Sequence, residues 1–243
     1  MKKPLYVLLT ALMIIGLVAC GAPTATTTPS IVATEIPTVV EFADPVLEAM
    51  VRSAIGQPEG EITLTQARAV TRLDLNDELH RYLSQESKIT DINGLEAFTN
   101  LETLDLSTHA VSDISPLAGL TSLTALSLAG NPVADVSPLA GLTSLKLLIL
   151  SGSQAPDFSA LANLVNLQVL LLDNSTISDL TPLAGLSNLW QLHLANSSVE
   201  DLSILEPIYA NLTDKDFIIA TTLAELGFTL DQNSRQAYFE NED

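Results

Sequence analysis

Six aspartates recur at a constant interval of 22 residues along the chain: Asp91, Asp113, Asp135, Asp157, Asp179 and Asp201. Carboxylates at equal spacing could form an array of ligands for calcium, which prefers oxygen donors. Each aspartate, however, occupies the same place in its repeat, two positions before the residue that begins the helical turn. That residue is the serine of a Ser-Pro pair after Asp113 and Asp135. A carboxylate in this place accepts a backbone N–H and forms a turn. The turn-forming interpretation is therefore preferred over calcium binding or catalysis.

The other residue types that could do chemistry are scattered. His80, His109 and His193 fall in different parts of the chain, with neither HxxxH nor HExxH spacing. The sequence has no Gly-rich phosphate loop, no GxSxG motif and no second cysteine to accompany Cys20. The sequence therefore predicts a protein that is not an enzyme, with no catalytic residues, no metal site and no cofactor.

A unit of 22 residues, repeated five times over residues 99–208, positions the aspartates. The copy at 121–142 is TSLTALSLAGNPVADVSPLAGL, and the copies show no insertion or deletion. The alternation Leu126-Ser127-Leu128 predicts a short strand. Apolar residues spaced by three then predict a helical or 3₁₀ turn, which Ser137-Pro138 begins with a hydroxyl cap and a proline. Strand and turn together make one lap of a coil. One lap cannot bury its own apolar side chains, but stacked laps can.

This pattern, LxxLxLxxNxVxDVxPLxxL, resembles the bacterial leucine-rich repeat in its 22-residue, internalin-type form, over about residues 44–208. The resemblance implies an α/β solenoid with short parallel strands on a concave face, 3₁₀ or short helical turns on a convex face, and a helical N-terminal cap. The sequence departs from the family at the asparagine position, where only one copy keeps the amide that would bond the neighbouring loop. The five residues at that position are His109, Asn131, Ser153, Ser175 and Ser197.

The first 43 residues predict export and attachment to a membrane. Residues 1–19 have two lysines followed by an apolar run, which is typical of a secretory signal peptide. The sequence Leu17-Val18-Ala19-Cys20 resembles a bacterial lipobox, which implies acylation of Cys20 and a lipid anchor in the bilayer. The alternative is an ordinary signal peptide with an incidental cysteine. Residues 20–43 are rich in threonine and proline and predict a tether.

Two segments come before the regular repeats. Residues 44–70 predict a helical N-terminal cap, which begins with Asp44-Pro45 and covers the apolar end of the solenoid. Residues 71–98 form a zeroth repeat that carries an insertion at 77–87. This insertion is interpreted either as a tolerated loop or as a recognition loop carrying His80, Arg81 and Tyr82.

Alternation along each strand predicts which side chains face outward on the concave side. In the third and fourth repeats these positions hold large aliphatic residues, and Trp190 and His193 stand in the next lap. Such a patch usually marks an interface. Two alternatives remain: the C-terminal segment covers the patch, or short strands have drifted toward apolar residues. The predicted partner-binding residues are Leu147, Ile149, Val169, Leu171, Trp190 and His193.

The period stops after residue 208. Residues 209–232 predict a C-terminal cap with a partial strand from Leu212, a helix over about 215–226 capped by Asp214, and a short strand at 228–230. Residues 233–243 predict a loose acidic tail.

Charge limits the partners. The chain has 10 basic and 29 acidic residues, and removal of residues 1–19 with their two lysines leaves a net charge of −21. Nucleic-acid binding is excluded because it needs a basic surface. The favoured hypothesis is a lipid-anchored protein on the outer face of a bacterial membrane that binds an unidentified protein through its concave face. The alternatives are a glycan or cell-wall binding module, and a structural accessory subunit of an envelope complex.

Overall fold

The computed structural model describes residues 39–76, 88–216, 228–230 and 237–239. Short strands in these residues pair in parallel, each with the next along the chain, to form one sheet. The strands are β1 Arg72–Asp74, β2 Thr103–Asp105, β3 Ala125–Ser127, β4 Leu147–Ile149, β5 Val169–Leu171, β6 Gln191–His193 and β7 Asp214–Lys215.

The register of this sheet places one leucine from each lap in the core. The middle residues of β1 to β6 stand opposite one another and are at most 1% exposed: Leu73, Leu104, Leu126, Leu148, Leu170 and Leu192. Full burial of each such side chain stabilises the fold by about 2 kcal/mol. The residues before and after each leucine therefore face away from the core, as the alternation predicts.

A 3₁₀ turn follows each of the strands β1 to β6 on the return path of its lap. The turns span Leu95–Ala97, Ser115–Leu117, Ser137–Gly141, Ser159–Asn163, Thr181–Leu183 and Ser203–Leu205. The last of them continues into a short helix, α3 (Glu206–Tyr209). This helix moves the start of β7 to a later position in the sequence. Gln191 of β6 consequently pairs with Asp214, one position later than the 22-residue interval would give.

Two helices pack on the first lap. Helix α1 (Pro45–Ile55) begins at Asp44, whose Oδ1 accepts N–H groups from Val46 at 2.7 Å and Leu47 at 3.3 Å. It ends at Gly56, whose φ of +70° favours glycine. Helix α2 (Leu64–Ala69) begins with a capping box. The helices bury Leu47, Val51 and Ala67 against the core, so they cover its N-terminal end.

The folded body begins earlier than the sequence predicts. Residues 39–43, which the sequence assigns to the tether, contact the cap: the N–H of Val40 donates to the carbonyl of Ile62 at 2.8 Å, and Val40 is buried. Phe42 lies so close to Gly94 that a β-carbon there would stand 2.7 Å from its ring. Residues Pro37–Asp243 form a compact unit that contains all the described core.

The C-terminal end also differs from its prediction. Asp214 does not cap a helix, because Asp214 and Lys215 form β7 beside β6. The remainder of the predicted helix, 217–226, lies outside the described residues. Strand β8 (Phe228–Leu230) pairs antiparallel with β9 (Ala237–Phe239), so the tail that was predicted to be loose contains a strand. In the part of the chain described, no helix is long and apolar enough to cross a membrane.

Candidate functional site

The repeated aspartates form turns. Each accepts the N–H of the residue two positions later at 2.7–2.8 Å, from Asp91 with Asn93 to Asp201 with Ser203. The prediction that the serine hydroxyl of the Ser-Pro pair caps the turn is therefore wrong. The aspartate carboxylate accepts the N–H at the start of the turn instead. In some laps the serine instead donates its hydroxyl to that aspartate, as Ser137 does to Asp135 at 2.8 Å. The described residues contain no group of three potential metal ligands.

For three of these aspartates the hydrogen bonds favour the charged form of the carboxyl group. The N–H and hydroxyl of Ser115 hold the pKa of Asp113 below its ordinary value. The hydroxyl and N–H of Thr181 do the same for the pKa of Asp179, and those of Ser203 for the pKa of Asp201. The carboxylates are engaged with their own backbone, which is a structural role.

The asparagine position forms a ladder between laps, and His109 belongs to it. Asn131 Oδ1 accepts the Val111 N–H at 3.0 Å, and its Nδ2 donates to the Leu106 carbonyl at 2.7 Å. His109 contacts the corresponding groups of the previous lap, accepting the Ile89 N–H on Nδ1 at 3.3 Å and lying 2.6 Å from the Leu75 carbonyl through Nε2. This arrangement requires the proton on Nε2. Since Leu75 and Ile89 flank the 77–87 insertion, His109 holds its two ends together.

The later laps form fewer hydrogen bonds at this position. Ser153 Oγ donates to the Val133 carbonyl at 3.2 Å, whereas the buried hydroxyls of Ser175 and Ser197 have no hydrogen-bond partner. A serine is too short to reach both groups that Asn131 joins. The weakened ladder that the sequence implies is therefore found in the fourth and fifth repeats but not at His109.

Four aliphatic side chains form a block on the outer side of β4 and β5. Leu147 stands opposite Val169, and Ile149 stands opposite Leu171. All four are half-buried, while Leu148 and Leu170 between them are fully buried. The neighbouring strand β3 presents the smaller Ala125 and Ser127. The aliphatic block, as we call Leu147, Ile149, Val169 and Leu171, is thus accessible on the face of the sheet.

Trp190 and His193 belong to the next lap after the aliphatic block, and the structure places only His193 directly opposite one of its residues. Trp190 precedes β6, and its side chain is exposed, with 43% of the residue accessible. The backbone N–H of Trp190 donates to the Gln168 carbonyl at 3.0 Å. His193 stands opposite Leu171, and its Nε2 lies 3.1 Å from Asp214 Oδ1. The repeat does not predict this pair, because β7 stands one residue out of register with the 22-residue interval. The other predicted site residues, Cys20, His80, Arg81 and Tyr82, lie outside the described residues.

After β6, a side chain replaces the backbone carbonyl that accepts hydrogen bonds in the earlier laps. In earlier laps the N–H after each strand donates to the next strand's carbonyl, as Leu172 does to His193 at 2.9 Å. At β6 the N–H groups of Leu194 and Ala195 donate to the carboxylate of Asp216 at 2.6–3.1 Å. Asp216 therefore places a negative charge at the C-terminal edge of the face.

The sequence matches no protein-family model and no curated protein. Its structure is similar to that of an internalin (inlF) from Listeria monocytogenes, with 26% identity and a TM-score of 0.61. The match covers 79% of this chain and 64% of that internalin, so the chain spans less than two thirds of its length.

Two further structures match less closely. Internalin C2 (inlC2) from Listeria monocytogenes has 27% identity and a TM-score of 0.42, over 75% of this chain and 97% of that one. The plant peptide hormone receptor RGFR1, solved in complex with RGF2, has 22% identity and a TM-score of 0.45, over 52% and 22%. The strand register and the likeness to inlF agree: the chain folds as a leucine-rich repeat solenoid.

Proposed function

We propose that the chain is a non-enzymatic, lipid-anchored extracytoplasmic protein that binds another protein through its concave face. The aliphatic block carries this proposal. The fold does not need large aliphatic residues at these positions, because the same columns hold Arg72 and Thr103 or Asp74 and Asp105 in earlier laps. Half-exposed aliphatic residues that the fold does not require are typical of an interface.

The likeness to an internalin supports a protein partner, although fold does not by itself fix function.

Capture of a partner tests the proposal. Immobilised Pro37–Asp243 is incubated with envelope extract beside two variants, Ile149→Asp and Val165→Asp. Val165 lies outside the strands and is 52% exposed, so it receives the same change away from the aliphatic block. We expect the wild type and Val165→Asp to retain a protein that a folded Ile149→Asp variant loses. Equal capture by all three would refute binding at the aliphatic block.

A glycan partner is the second candidate, because of Trp190. An exposed indole can stack on a sugar ring, and the polar side chains of Gln191, His193 and Asp214 on β6 and β7 can bond sugar hydroxyls. Trp190→Ala separates the two candidates. We expect it to abolish retention on peptidoglycan or polysaccharide if a glycan is the ligand. A protein partner bound at the aliphatic block would still be captured, though less tightly.

A further inference from the structure

Acidic residues flank the aliphatic block on both sides along the face. Asp74 and Asp105 end β1 and β2, Asp214 and Asp216 lie beyond β6, and Asp173 follows the end of β5 itself. Asp74 and Asp214 are exposed, whereas Asp105 and Asp173 are half-buried. The aliphatic block is therefore bordered by negative charge in both directions across the strands.

Little positive charge offsets these acids. Asp214 pairs with His193, and none of the other four has a cationic partner within the described residues. Arg72 and Lys146 are the described cationic residues beside the face. Lys215 is directed elsewhere, because its Nζ donates to the Leu212 carbonyl and lies 4.4 Å from the centroid of the Tyr209 ring. The face therefore has a net negative charge around an apolar centre.

The spacing of the strands gives the shape of a complementary ligand. Neighbouring strands lie about 4.8 Å apart, so Asp105 on β2 and Asp214 on β7 each stand about 12 Å from the middle of the aliphatic block. An extended peptide covers that distance in about four residues. A cation placed four residues to either side of an aliphatic centre would thus reach an acid at each end.

We propose that the concave face binds a basic segment of a partner protein, with an aliphatic centre and lysine or arginine on both sides. This inference rests on the proposed function and specifies the chemistry of the partner. The aliphatic block would hold the centre, and Asp105 and Asp214 would pair with the flanking cations. The net charge of −19 on the chain would also accelerate encounter with a basic partner.

Three synthetic peptides test the inference. They share a central Leu-Ser-Leu-Ser-Leu sequence and carry two lysines, two serines or two glutamates at each end. Binding to Pro37–Asp243 is measured by anisotropy of a labelled peptide at about 50 and 200 mM salt. Trp190, the one tryptophan of the chain, gives a second signal beside the face. The protein variants are Asp105→Asn, Asp214→Asn, Ile149→Ser and the control Glu59→Gln, an exposed acid in the loop after α1.

We expect the lysine peptide to bind about tenfold more tightly than the serine peptide, the glutamate peptide to bind least, and salt to reduce the difference. Each Asp→Asn change should weaken the lysine peptide about threefold, Glu59→Gln should not, and Ile149→Ser should abolish binding. Absence of binding, equal affinity for the lysine and glutamate peptides, or binding that survives Ile149→Ser would overturn the inference. Partner capture that depends on Ile149 would still uphold the proposed function in each case.

Discussion

His109 takes the place of an asparagine in the ladder between laps, and its longer side chain spans the two ends of an insertion. We expect His109→Asn to change the free energy of unfolding by less than about 1 kcal/mol, because an amide supplies the same acceptor and donor. His109→Ala should cost about 2 kcal/mol, since it leaves the buried Ile89 N–H and Leu75 carbonyl without partners. Urea unfolding followed by circular dichroism measures both.

Asn131→Ala is the matched control for His109→Ala, because it removes the same two hydrogen bonds one lap later. Its cost should be similar. If His109→Ala and His109→Asn are equally stable, the imidazole contributes packing alone and has no part in the ladder.

Ser175 occupies the same ladder position with a buried hydroxyl that has no partner. By the geometry of Asn131, an asparagine at 175 would accept from Ala155 and donate to the Leu150 carbonyl. We expect Ser175→Asn to stabilise the fold by about 1 kcal/mol, the usual net value of a buried hydrogen bond. Ser178→Asn, the same change at an exposed position, should leave the urea midpoint unchanged. A lower midpoint for Ser175→Asn would show that the fourth lap has no room for an amide.

At the scale of the strand, adjacent residues have opposite roles. Leu148 is fully buried in the stacked core, whereas Ile149 is half-buried on the outer face. We expect Leu148→Asp to unfold the domain, because an unpaired buried charge costs several kcal/mol. Ile149→Asp should lower the free energy of unfolding by at most about 1 kcal/mol. Thermal melts of the two variants decide the matter, and comparable unfolding by Ile149→Asp would contradict the outward direction of that side chain.

The repeated elements could be predicted from the sequence because each signal occurs several times. The alternation around Leu126, Leu148 and Leu170 identifies the core positions of the strands in one step. The non-repeated ends were harder to predict. Val40 and Phe42 lie in a stretch whose threonines and prolines resemble a tether, and Asp214 precedes an apolar run that resembles a helix.

The candidate site was predicted as a set of positions but not in its electrostatics. Alternation alone gives the aliphatic block, since it depends only on strand register. The contact of His193 with Asp214 depends on a one-residue offset that α3 introduces after the last repeat. Likewise, no sequence pattern predicts that His109 replaces the asparagine in function. Its role is seen only from the positions of Leu75 and Ile89 in the structure.

For the whole molecule, four aspartates that form turns or caps couple stability to pH. Burial raises the pKa of Asp44, but N–H donors from Thr90, Val46, Leu47 and Asp91 outweigh it, so the pKa lies below its ordinary value. The pKa values of Asp113, Asp179 and Asp201 are lowered too. A lowered folded-state pKa gives stability that is present above the ordinary value of 3.8 and is lost as pH falls through the folded-state value.

We therefore expect the urea midpoint of Pro37–Asp243 to fall as the pH is lowered from about 5 to about 2.5. High salt should be present throughout to screen repulsion among the acidic residues. Asp44→Asn should be less stable at pH 7, because an amide nitrogen cannot accept from both Thr90 and Asp91. It should also lose less stability on acidification than the wild type. An unchanged pH dependence in this variant would show that Asp44 does not contribute to the acid sensitivity.

Attachment at Cys20 would set where the whole molecule acts, and mass spectrometry can test it. Two or more acyl chains are needed for stable anchoring, since one chain alone binds marginally. We expect membrane-extracted protein to begin at Cys20 and to exceed the mass of its peptide by at least two acyl chains, and Cys20→Ser to lack this excess. An unmodified thiol at Cys20 in the wild type would refute the lipid anchor, while the binding face would be unaffected.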